Sequence, residues 1–113
     1  MEIINSPDNI LSVNGRNYKF NNDILEIKKT ETHVFVVTMP VQGNLNNVFG
    51  ISLQFGTMWR IQKASEVYPS FYQTPFVGIS IIKNEIVVTD FLGCRFVVDP
   101  ENGRIIGRKR EVK

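Results

Sequence analysis

Apolar and polar residues alternate in short runs along nearly the whole chain, a period of two that argues for strands. Ile10 to Val13 and Arg16 to Phe20 flank Asn14-Gly15, the strongest short hairpin signal, because a type I′ turn needs positive φ at both central positions. Ile24 to Lys29 and His33 to Met39 follow as strands, parted by Thr30-Glu31-Thr32, and Pro40 ends the second. Val48 to Leu53 and Thr57 to Ile61 read as a hairpin across Gln54-Phe55-Gly56. Val77 to Ile82 and Glu85 to Asp90 read as another across Lys83-Asn84. Arg95 to Asp99 and Arg104 to Gly107 flank Pro100-Glu101-Asn102-Gly103, with Pro early and Gly late as a turn requires. The pattern predicts about ten short antiparallel strands, at spacings near those of a sandwich, barrel or propeller.

Helical periodicity is confined to Ala64-Ser65-Glu66-Val67, which Pro69 limits to a single turn. Gln62 to Pro75 is the one connection too long for a plain hairpin. Trp59, Ile61 and Thr57 alternate on one strand face, which predicts a largely buried Trp59.

One repeat is quantitative. Phe49, Ser52, Gly56 and Trp59 reappear as Phe96, Asp99, Gly103 and Ile106, each 47 residues later. A period of about 40–50 residues is that of a four-stranded propeller blade, and this chain holds two to three of them. Closed propellers need at least four blades. The expected fold is therefore all-β, antiparallel sheets resembling an incomplete (half) β-propeller of about 8–10 strands. Its open edges must be covered, paired in a homodimer, or kept for a partner.

The 113 residues suit a single domain spanning 1–113. Hydrophobic residues at 42% and charged residues at 21% place it among globular chains. The net charge of +2 conceals a basic end. Residues 104–113 carry +4 and the rest carries −2. That end reads first as a solvated strand and tail, and second as a phosphate-binding tail.

One cysteine, Cys94, excludes an internal disulfide and fits a reducing compartment. One histidine, His33, excludes a metal site built from Cys and His clusters. The N-terminus shows no signal peptide and no apolar run approaches a spanning length, so a cytoplasmic protein with no membrane partner is expected. No cofactor and no catalytic residues are expected. His33 has no Ser or Cys near it in sequence. Asp90 and Asp99 stand where strand-end Asp residues usually serve turns.

The segment 62–76 is the most unusual. It gathers Tyr68, Phe71, Tyr72 and Phe76 with Pro69 and Pro75. Aromatics stiffened by prolines suit an interface hot spot, and they equally suit a cover over the end of a sheet.

A larger set of residues resembles a known group. Asn47-Val48-Phe49, Trp59-Arg60-Ile61, Pro75-Phe76-Val77-Gly78-Ile79 and the run Phe91 to Ile105 together resemble small bacterial all-β proteins. Some of these look like immunity proteins of contact-dependent growth inhibition systems. The resemblance covers residues 46–106. It implies a non-enzymatic protein that neutralises the toxic C-terminal domain of a secreted partner, often a ribonuclease, and a fold like half a β-propeller.

Blocking a nuclease cleft calls for a carboxylate in place of phosphate and a ring in place of a base. Glu66, Tyr68, Phe71 and Tyr72 offer both, with Asp23, Glu26 and Glu31 on the acidic body as a second docking region. Two other functions fit the residues: a self-associating, non-catalytic interaction module, and a domain that binds single-stranded nucleic acid through the basic end and the aromatics of the 62–76 segment.

Overall fold

The computed structural model describes residues 2–40, 45–70 and 74–109. Among the described residues, eleven strands build three antiparallel sheets, with 53% of those residues in strands and 7% in helix. The first sheet holds β1 (Ile3–Ser6), β2 (Ile10–Val13) and β3 (Arg16–Lys19). The second holds β4 (Ile24–Lys29), β5 (His33–Thr38), β6 (Val48–Ser52) and β7 (Met58–Arg60). After α1 (Ala64–Val67), the third holds β8 (Phe76–Ile82), β9 (Glu85–Asp90), β10 (Arg95–Val98) and β11 (Ile105–Lys109). Each sheet is an up-and-down meander, the connectivity of a propeller blade, and none closes into a barrel.

The ten expected strands are present, and the single helical turn falls where Pro69 allowed it. β1 is the addition. Its apolar content is only Ile3 and Ile4, so its sequence shows no alternation. Pairing recruits it instead: β1 runs beside β2 from Ile3↔Val13 to Ser6↔Ile10, and the Asn14 side chain accepts a hydrogen bond from Glu2 N.

The second sheet lies between the other two. Every residue of β5 is buried, so it reads as one apolar run rather than an alternation. Val34 and Val36 pack with Leu11, Val13, Phe20 and Ile51 against the first sheet. Phe35 and Val37 point the other way, to Phe76, Ile79, Ile86, Val88 and Phe96 of the third. Removing each such side chain from water contributes about 1.5–3 kcal/mol, so β5 anchors both interfaces at once.

The repeat seen in the sequence is a repeat of structure. Ser52 ends one third strand and Asp99 directly follows the other, and each opens a turn closed by a glycine at positive φ, Gly56 (72°) and Gly103 (77°). In both turns the glycine N–H returns to the carbonyl four residues back, and the Ser or Asp side chain accepts a further turn N–H. Gly15 (84°) closes the corresponding turn of the first sheet.

Three residues beyond each glycine stand Tyr18, Trp59 and Ile106. The first two fasten one sheet to the next. Tyr18 Oη donates to Gly56 O at 2.6 Å, and Trp59 Nε1 donates to Pro100 O at 2.7 Å. Ile106, their counterpart on the third sheet, is 63% exposed. Trp59 itself is partly buried, its ring packed against the core beside Phe35. Replacing Tyr18 by Phe should keep the ring packing and lose one hydrogen bond, lowering unfolding free energy by about 1 kcal/mol in urea titration.

Candidate partner-binding surface

The expected contact residues fall in separate places. Gln62 fastens the start of the long connection to the third sheet: its N–H donates to Gly103 O, and its Oε1 accepts from Ile105 N at 3.0 Å. This holds α1 against the core, where Ala64 is buried and Val67 and Tyr68 are partly buried. The Tyr68 ring lies 5.9 Å from that of Phe96, so most of its area is committed to the core. Glu66 is exposed, with Gln62 Nε2 3.4 Å from its carboxylate. Phe71 and Tyr72 lie outside the described residues.

The acidic set does not form one patch. Asp23 and Glu31 are exposed just beyond opposite ends of β4. Glu26, between them, turns its carboxylate to the third sheet and accepts from Ile79 N at 2.9 Å. That carboxylate joins β4 to β8.

Asp90 and Asp99 serve turns, as strand-end Asp residues usually do. Asp90 Oδ1 accepts from Leu92 N and Cys94 N, and Asp99 Oδ1 accepts from Glu101 N. Cys94 packs partly buried against the core. Among the described residues, no group of three or more His, Cys, Asp or Glu is placed to hold a metal ion. No helix among them is long and apolar enough to cross a membrane.

The structure adds residues that the sequence reading passed over. Phe91 N donates to Pro75 O, so the β9–β10 turn adjoins the end of the 62–75 connection. That turn presents Phe91 and Leu92, 70% and 60% exposed. Val77 and Ile106, on the same sheet, are also exposed. Two large apolar residues between a capping Asp and a turn Gly have no place in a core alternation, and that was the available signal.

A family model matches residues 1–110, from before β1 to the end of β11. The chain belongs to that family. Its description is a domain of unknown function, DUF7957. All three sheets lie within the match. No curated protein and no solved structure matches the chain.

Proposed function

We propose that this protein binds and neutralises a toxin domain, with a nuclease as the leading candidate, by docking it on the third sheet and the adjoining end of the 62–75 connection. The observation that carries the reading is the break in the repeat. Tyr18 and Trp59 are each covered by the next sheet, while Ile106, their counterpart, faces solvent. The third sheet also exposes Val77, on its opposite edge strand β8, and Phe91 and Leu92, in the β9–β10 turn. Exposed apolar residues grouped on one element mark protein-interaction sites. Glu66 adds a carboxylate on α1, which Gln62 ties to the β10–β11 hairpin that carries Ile106.

The test is survival. Cells producing a candidate toxin domain taken from a neighbouring gene should grow when the chain is co-produced. They should stop growing when the co-produced chain carries Phe91→Ala and Leu92→Ala together, at unchanged melting temperature. Growth arrest in the presence of the parent chain would overturn the proposal.

The same uncovered sheet favours a second reading, a homodimer. Light scattering giving twice 12.9 kDa for the isolated chain would support it, and 12.9 kDa at high concentration would remove it.

A further inference from the structure

The shared glycine turn aligns the three sheets strand by strand. Gly15, Gly56 and Gly103 make β2–β3, β6–β7 and β10–β11 equivalent hairpins, so β1 corresponds to β5 and β9. On their far sides β5 and β9 pair with β4 and β8. Nothing among the described residues takes that place beside β1, which is an edge strand where its counterparts are interior.

The free edge of β1 carries unpaired backbone groups. Asn14 N donates to Glu2 O, so Glu2 faces β2, and alternation turns Ile4 and Ser6 the same way. The N–H and C=O of Ile3 and Asn5 therefore point away from β2, and no described group meets them. The edge is open to solvent: Asn5 is exposed, and Ile4 is 47% exposed. Ile3, on the other face, packs against the core between the first two sheets.

The other edge strands are guarded against pairing by charge or by a bulge. β3 presents Arg16 and Lys19, and β7 ends in exposed Arg60. β4 ends in Lys28 and Lys29 and bulges at Leu25. β8 bulges at Val77, and the Glu26 carboxylate takes its Ile79 N. β11 carries Arg108 and Lys109 and bulges at Ile106. β1, Ile3-Ile4-Asn5-Ser6, has neither a charge nor a bulge.

An uncharged edge offers a charged strand nothing to complement, but it suits its own copy. With β1 antiparallel to itself about a two-fold axis through Ile4, Ile3 faces Asn5 of the partner subunit, and each pair exchanges its outward N–H and C=O. Glu2 falls opposite Ser6 of the partner subunit, so no like charges oppose each other. Ile4 meets the partner's Ile4 across the axis, in the close non-hydrogen-bonded pair whose Cβ atoms lie about 4.5–5.5 Å apart. The exposed Ile4 side chain thereby gains an apolar cover.

We propose that two copies of this chain associate through β1, antiparallel about an axis at Ile4, joining their first sheets into one. The contact is separate from the third sheet, so it stands or falls independently of toxin docking.

Sedimentation equilibrium of the purified chain up to about 1 mM should show monomer passing to dimer, with a dissociation constant on the order of 0.1–1 mM, as suits so short a pairing. In a mixture of carbon-13-labelled and unlabelled copies, Hα of Ile4 should give an Overhauser contact to Hα of the partner's Ile4. Asn5→Pro removes an outward donor without touching a β1–β2 bond, and Ile4→Lys sets like charges across the axis. Each should weaken association at least about tenfold at unchanged melting temperature, while Leu92→Asp associates like the parent.

A chain that stays monomeric at about 1 mM would overturn the proposal. So would association that survives both β1 variants, or that is lost in Leu92→Asp, which would put the contact on the third sheet. A dimer without the Ile4 contact would overturn the pairing. A monomeric chain that loses toxin affinity in Asn5→Pro would assign the edge to a strand of the toxin instead of a second copy.

Discussion

Replacing Asn47 by Ala should lower the unfolding free energy by about 3–5 kcal/mol, one of the two largest effects expected from a single side chain here. Asn47 is 2% exposed and sits just before β6. Its Nδ2 donates to Thr38 O and to Phe76 O, both at 2.7 Å. Its Oδ1 accepts from Phe76 N at 2.8 Å. One amide thus closes the end of β5 and binds the first residue of β8, joining the second and third sheets. Truncation leaves three buried backbone groups without partners, which costs more than the hydrogen bonds contribute. Asp at this position should do no better, since it lacks both donors and carries a buried charge. Urea titration of the two variants checks this; a loss below about 1 kcal/mol in Asn47→Ala would show that water replaces the amide without penalty.

The second large effect concerns the slot that holds Trp59. A Cβ added to Gly50, Trp59's neighbour in the sheet, would overlap Cε2 and Cζ2 of the indole. A Cβ added to Gly103, from the third sheet, would overlap Cε3 and come within 2.8 Å of Cδ2. The indole therefore lies between two glycines from different sheets. Gly103→Ala should cost about 2–4 kcal/mol, because a side chain at φ 77° is strained and the ring must also move. Gly50→Ala should cost about 1–3 kcal/mol from the overlap alone. Gly78→Ala is the control. Nothing lies within 4 Å of its added Cβ, and its stability should be unchanged or slightly raised. Equal melting of all three variants would mean that the indole does not occupy this slot.

These two sites show where sequence reading stops. The turn glycines were legible, because Asn14-Gly15 and the recurrence of Gly56 at Gly103 are local signals with a known backbone need. The apolar run His33 to Thr38 was legible as a strand. That both its faces are buried depends on a sheet stacked on each side. Asn47 entered the sequence reading only as part of the Asn47-Val48-Phe49 resemblance, since its partners Thr38 and Phe76 lie 9 and 29 residues away. Gly50 passed without remark inside the strand Val48 to Leu53, and the indole above it explains the absence of a side chain. Tyr68 and Glu66 are adjacent in the same reading. Packing separates them: the ring turns to Phe96 and the carboxylate turns outward. Phe91 and Leu92 escaped because a turn's apolar residues carry no period.

The central claim is that a partner docks where the sheet repeat is left uncovered. Its most direct measurement is the affinity of the toxin domain for the parent chain and for Leu92→Asp, Ile106→Asp and Glu31→Gln, with a melting curve for each. Leu92→Asp and Ile106→Asp should each weaken binding by a factor of about 30 or more at unchanged melting temperature, while Glu31→Gln binds within a few-fold of the parent. Parent-like binding by both aspartate variants, with binding lost in Glu31→Gln, would contradict the claim and place the partner on the acidic turns instead.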